Sequence, residues 1–177
     1  MQVLGRRASR LAGGGPMTDQ KFEAQVSGWV KQSKRRMDAV RKQSVQRLVT
    51  IAQTPVAKGG NMPIDTGFLR SSLLATTTAI PRVGDDYQDS AVGKEGDAVS
   101  PTITVALAGW TPDQTLYLGW TAVYARAAHY GSESGVGVDE RGGYTGRPAR
   151  LWVTLAAQRW QQIVAEVARE MRSRAGG

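Results

Sequence analysis

A chain of 177 residues is long enough for one domain to bury a real core, and its lack of cysteine, with His129 as its one histidine, excludes disulfides, thiolate metal sites and a multi-histidine metal site within one chain. No apolar run approaches the roughly 20 residues needed to span a bilayer, so no membrane span is expected. The formal charge of +8 is uneven, with twelve Lys/Arg against three Asp/Glu in residues 1–60, five against ten in 61–146 and six against two in 147–177. Two basic ends thus flank an acidic middle, a pattern that suits nucleic-acid binding through a basic face or packing of one copy's basic helix on a neighbour's acidic middle.

Residues 1–17 contain Arg6, Arg7 and Arg10 without a sustained apolar core, which makes them a flexible arm rather than a signal peptide, with Met17 available as an alternative start. Thr18 or Asp19 can cap a long basic helix over 18–54, and Glu23 suits its opening turns. Val26, Val30, Ser33, Met37, Val40, Ser44, Leu48 and Ile51 recur at steps of three and four, the mark of one helical face. Lys31, Lys34, Arg35, Arg36, Arg41, Lys42 and Arg47 occupy the opposite surface. About 34 residues at about 1.5 Å each make a rod of roughly 50 Å. Part of such a rod is expected to rest on another subunit, with Arg35, Arg36 and Arg41 as candidate interface residues. The same run also suits a solvated helix face. Direct DNA contact is secondary, because no aromatic residue interleaves with the run as a stacking platform requires.

Thr54-Pro55 ends that helix and Lys58-Gly59-Gly60-Asn61 is loop. The chain then changes period through Met62-Pro63-Ile64-Asp65-Thr66-Gly67-Phe68-Leu69-Arg70-Ser71-Ser72. Pro63 fixes a backbone angle and Gly67 permits one that other residues resist. Asp65 and Thr66 can offer side-chain oxygens to a short helical turn beginning near Phe68, from which Arg70 projects. Ile64-Asp65-Thr66-Gly67 also matches the hydrophobic-Asp-Thr-Gly core of aspartic proteases. That chemistry needs two carboxylates sharing a proton, so a symmetric dimer would have to complete the site, with bulky Phe68 standing where those enzymes carry a small residue.

Residues 73–80, with Thr76, Thr77 and Thr78, are predicted as a strand stopped by Pro81. An exposed acidic loop over 84–100 follows; its carboxylates lack the spacing of a calcium loop. The alternation in 102–107 predicts a half-buried strand, paired as a hairpin with a second strand over 115–120. Ala125, Ala127 and Ala128 suggest a short helix or tight segment against the sheet over 124–130. Trp110, Tyr117, Trp120 and Tyr124 are expected to anchor core and interface rather than cage a ligand. The glycine-rich stretch 131–146 lacks the strand-to-helix context of a phosphate cradle and is expected to be ordered by assembly. Pro148 suits the first turn of a last helix over 148–173, whose apolar face includes Trp152, Leu155, Trp160, Ile163 and Val167. Trp152 and Trp160 are expected in the core. The fold class is α+β, an antiparallel sheet packed by a long N-terminal and a C-terminal helix, with a sheet region over 65–130.

Thr54-Pro55-Val56 and the run from Pro63 to Ser72 resemble the PVDTGxLRxS signature of a family of phage minor tail proteins. Tyr124-Ala125 with Tyr130-Gly131 is similar to that family's YAxxxExG segment, and Gly146-Arg147-Pro148-Ala149 to its PxxRPA entry into a last helix. The three segments come in the family's order, and the resemblance covers residues 18–172. His129 stands where the family usually has Glu. The resemblance implies a structural protein of the virion neck or head-proximal tail, made in the bacterial cytoplasm and without a cofactor. It implies a homo-oligomeric, six-fold ring that completes the tail, helps join it to the head, and meets neck, tail-terminator or tail-tube proteins. Pro63, Asp65, Thr66, Gly67, Leu69, Arg70, Ser72, Tyr124, Ala125, Gly131, Arg147 and Pro148 are its structural motif residues. A basic nucleic-acid-binding protein is the alternative, and a dimeric aspartic protease using Asp65 the third reading.

Overall fold

The computed structural model describes residues 17–64, 67–82, 101–131 and 148–175. The arm before Met17, Asp65, Thr66, the acidic loop, the glycine-rich loop beyond Gly131, and Arg147 lie outside the described residues. The chain divides into two units, Met1–Met37 and Asp38–Gly177, with the boundary within the first helix.

That helix, α1, spans Met17–Ala52 with Asp19 in its first turn, where a carboxylate suits the positive end of the helix dipole. In the first unit its side chains from Asp19 to Met37 are exposed, except half-buried Ser33. In the second unit Ser44, Val45, Val49 and Ala52 are buried. The buried hydroxyl of Ser44 is satisfied by donating to the Val40 carbonyl at 2.7 Å. Pro55 cannot continue the helix, and the chain turns through a 3-10 segment, Val56–Lys58, closed by Gly59 at φ 81°. A parallel bridge then ties Pro55 to Met62. Gly60 is required there, because a Cβ would lie 2.0 Å from the Thr54 carbonyl oxygen.

The rest of the second unit is α+β. A single turn α2 (Phe68–Ser71) leads into β1 (Leu73–Thr76), which pairs antiparallel with β2 (Tyr117–Trp120) in the register Leu73 with Trp120 through Thr76 with Tyr117. Helix α3 (Pro101–Gly109) precedes β2, α4 (Ala125–Tyr130) follows it, and α5 (Trp152–Gln158) and α6 (Trp160–Ala175) complete the described chain. One core cluster joins Val45 and Val49 of α1, Leu73 and Ala75 of β1, and Ile103 and Leu107 of α3. A second joins Met62, Leu69, Ala122, Ala125, Ala128 and Trp152, and Trp120 packs against both.

Four expectations need correction. Residues 102–107 form α3 rather than a strand, so β2 pairs with β1 and the expected hairpin is absent. Its apolar residues Ile103, Ala106, Leu107 and Trp110 are also spaced by three and four, and packing on Val45, Val49 and Leu73 selects that period over the β-branched preference. The strand expected over 73–80 stops at Thr76, after which residues 77–79 bend. The last helix begins at Trp152, four residues after Pro148, because the Arg150 and Leu151 amides both donate to the His129 carbonyl at 3.0 Å and Leu151 sits at φ 45°. It is also interrupted at Arg159. Trp152, Ala156, Ile163 and Val167 are buried, whereas Trp160 is 37% exposed and is not a core residue.

Candidate functional site

Two of the three segments that carry the resemblance meet in one corner of the second unit, together with the helix that follows the third. Phe68 and Leu69 come from the first segment, with Met62 just before its second run, Ala125 and Ala128 from the second, and Trp152 and Val153 from the helix that follows the third. Gly67 is the N-cap of α2 at φ 86°. The cap expected from Asp65 and Thr66 lies outside the described residues; the turn itself is closed by the Ser71 and Ser72 amides, which donate to the Gly67 and Phe68 carbonyls at 3.1 and 3.0 Å.

The hydroxyls of Ser71 and Ser72 turn back onto the Phe68 and Leu69 carbonyls at 2.9 and 2.8 Å. Buried Gln53, at the end of α1, donates from Nε2 to the Arg70 carbonyl at 3.0 Å. Buried Thr121 donates both its amide and its Oγ1 to the Ser72 carbonyl, at 2.9 and 3.1 Å. These bonds hold the helix end, the turn and both strands in one frame. Pro63 and Arg70 are half-buried in it, and Pro148 is exposed. Tyr124 stays 40% exposed, with its ring 6.1 Å from that of Phe68. Gly131 ends α4 at φ 83°, its amide donating to the Ala127 carbonyl at 2.9 Å.

His129, which the resemblance places at a carboxylate position, is buried and contacts Trp152 edge-on at 5.2 Å, while Trp152 meets Trp120 edge-on at 4.3 Å. Its Nε2 lies 3.1 Å from Thr154 Oγ1, and burial lowers its pKa, so the ring is held neutral. The ring nitrogens Trp120 Nε1, Trp152 Nε1 and His129 Nδ1 are buried without a hydrogen-bond partner among the described residues. Among the described residues no three of His, Cys, Asp or Glu are grouped to hold a metal.

The three candidate interface arginines separate. Arg35 and Arg36 are exposed in the first unit. Arg41 is engaged within the second: its guanidinium lies 3.7 Å from the Trp110 ring centroid, and it donates to the Thr111 and Trp110 carbonyls at 3.0 and 3.1 Å and to Asp38 at 2.6 Å. Lys42 pairs with Asp38 at 3.0 Å and reaches the Ala108 carbonyl at 3.4 Å. Two cations from α1 thus stand at the C-terminal end of α3, where carbonyls lack helical partners. Arg47 forms a two-pronged bond with Glu170 at 2.8 and 3.0 Å, linking α1 to α6.

Sequence reading passed over two residues of the first unit. Phe22 and Trp29 are each 67% exposed, beside Val26 at 42% and Met37 at 65%. The signal was legible as an extension of the three-and-four spacing, since Phe22, Val26, Trp29, Ser33 and Met37 fall in steps of four, three, four and four.

Comparisons with protein-family models, curated proteins and solved structures return no match for this chain.

Proposed function

We propose that this chain is a structural protein of a phage or phage-like virion, placed in the neck or head-proximal tail, where copies close into a ring that completes the tail and helps join it to the head. The observation that supports this reading is the corner itself: two segments resembling one family's signatures, about sixty residues apart in sequence, pack into one core cluster with Trp152 of the helix that follows the third. Signature residues that serve a catalytic site converge on a cleft, with reactive side chains facing a common point. Here the signature residues Leu69 and Ala125 pack on each other and on Trp152 of the last described helices. Such a corner fixes the angle between helix and sheet, and a ring subunit works through that kind of fixed geometry, presenting the same patch to each successive neighbour. The test is cryo-electron microscopy of particles carrying a tagged copy. Density for the tag in a collar at the head-proximal end of the tail is expected; tag found free of particles, or bound to host DNA, overturns the reading.

A second reading, nucleic-acid binding, gains one observation. Exposed Trp29 and Phe22 stand on the helix that carries exposed Lys21, Lys31, Lys34, Arg35 and Arg36, so aromatic faces do accompany part of the basic run. Quenching of tryptophan fluorescence by single-stranded DNA, lost in Trp29→Phe and weakened steeply by salt, would favour it.

A further inference from the structure

The one imidazole of the chain sits where α4 meets α5, and it ties the two helices by its main chain and its side chain together. The His129 carbonyl accepts both the Arg150 and the Leu151 amides at 3.0 Å, and Nε2 lies 3.1 Å from Thr154 Oγ1 in the first turn of α5. The ring meets Tyr130 edge-on at 4.5 Å and Trp152 edge-on at 5.2 Å. Two features of this junction favour an open form once the ring carries a second proton. The first is Nδ1, buried without a partner among the described residues. In a neutral ring that donates Nε2–H to Thr154, Nδ1 is a bare acceptor; in the imidazolium it becomes a charged donor that needs an acceptor. The buried indole nitrogens of Trp120 and Trp152 are donors themselves and cannot serve. Charge offers no relief either. Among the described residues the charged groups on the elements of this corner are Arg70 of α2, Arg126 of α4 and Arg150 before α5, all cations, while α5 and β2 carry none and Tyr130 brings only a phenol. The second feature is Leu151, held left-handed at φ 45° directly between the clamped amides and Trp152, a conformation that disfavours any residue with a Cβ.

We propose that His129 is an acid-operated latch: as a neutral ring it closes α4 onto α5, and on gaining a proton it releases the start of α5, which swings about Arg159 while α6 stays docked on α1. The hinge is the interruption at Arg159 between the two helices. What holds α6 is separate from the latch. Ile163 and Val167 are buried, and Arg47 of α1 grips Glu170 with two bonds at 2.8 and 3.0 Å. The bond from Arg47 also keeps the Glu170 carboxyl below its ordinary value, so this pair survives the mild acid in which the latch opens. The direction of the switch follows from where the proton is better held. Burial lowers the pKa of His129 in the closed form, whereas a solvated ring in the open form takes up its proton near the ordinary value of about 6.5. The closed form is therefore fully favoured above about pH 6.5 and loses up to about tenfold per pH unit below it, until the lowered closed-form value is reached. Opening hydrates the charge, relaxes Leu151 and uncovers Trp152. The latch is independent of the ring reading.

The test uses the full chain, whose single imidazole gives one histidine signal in proton NMR. That signal is expected to titrate with a midpoint below about 6.5. Amide hydrogen exchange, corrected for its intrinsic pH dependence, is then compared at about pH 7.5 and about pH 5. Residues 152–158 are expected to gain roughly tenfold or more in opening while residues 163–170 stay unchanged. His129→Gln keeps a neutral group able to bond Thr154 and is expected to abolish the acid-dependent gain. Should that variant fail to fold at neutral pH, the wild-type comparison of α5 with α6 decides alone. A midpoint at or above about 6.5, no gain in α5, an equal gain in α5 and α6, or the same gain in His129→Gln each overturns the proposal.

Discussion

Arg41 shows how one side chain's surroundings decide its role. It belongs to the same basic run of α1 as Arg35 and Arg36, yet its guanidinium is stacked on Trp110 and bonded to the end of α3. Stacking of this kind contributes about 0.5–1 kcal/mol, and each charge-assisted hydrogen bond adds to it. Arg41→Ala is therefore expected to lower unfolding free energy by about 1–2 kcal/mol in urea titrations, while Arg35→Ala changes it by less than about 0.5 kcal/mol. The Asp38 carboxyl beside Arg41 feels burial, which pushes its pKa up, but the bonds from Lys42 and Arg41 outweigh it and hold the pKa down. His129 gives a separate pH signature. Burial lowers its pKa below the ordinary value of about 6.5. Between that value and the lowered one the unfolded chain binds a proton that the folded chain refuses, so stability is flat above about 6.5 and falls as pH drops below it. His129→Gln should flatten that step, measured as the urea midpoint at about pH 7.5 and about pH 5; an unchanged slope would show that the imidazole is not held neutral by the fold.

At the scale of elements, the most informative comparison is between two tryptophans on one expected helical face. Trp152 is 3% exposed and packs with residues of the first two signature segments, whereas Trp160 lies just past the interruption at Arg159. Trp152→Ala is expected to cost about 3–5 kcal/mol, and Trp160→Ala less than about 1 kcal/mol, by chemical denaturation. Comparable losses at both positions would mean that the two helices act as one. Gly67→Ala tests the corner independently, since a Cβ at φ 86° should cost about 1–2 kcal/mol even though nothing catalytic changes. The same elements show what was legible beforehand. The long helix, its end at Pro55, the glycine-dependent turn at Gly67 and the short alanine-rich α4 all follow from local chemistry, because glycine, proline and a sustained three-and-four spacing act within a few residues. The α3 segment was not legible, since Thr102 to Leu107 satisfies a period of two as well as one of three to four. Only its contacts with Val45, Val49 and Leu73, distant in sequence, decide between them. The interruption at Arg159 was hidden for the same reason: no proline or glycine marks it.

For the whole molecule, the uneven charge is the feature most plainly written in the sequence, and it divides sharply. Of the ten carboxylates in residues 61–146, Asp113 is the one that falls among the described residues. Arg41, Lys42 and Arg47 are engaged inside the second unit, by Trp110, Asp38 and Glu170. The exposed basic residues left on α1 are Lys21, Lys31, Lys34, Arg35 and Arg36. If charge contributes to assembly, it acts through this set, and reversing Arg41 as well would confuse lost folding with lost association. Arg35→Glu/Arg36→Glu is thus the clean variant. Exposed ion pairs contribute about 0–1 kcal/mol each, so the double reversal should shift the association constant by up to roughly tenfold at low salt. At about 0.5 M salt the Debye length is well under about 8 Å, so most of that difference should vanish. Any contribution of Phe22 and Trp29 should persist there, because burial of apolar surface does not depend on screening. Sedimentation of wild type, the charge-reversed variant and a Phe22→Ala/Trp29→Ala variant at both salt concentrations separates the two contributions. A charge-reversed chain that assembles like wild type at low salt would remove charge complementarity from the account of assembly.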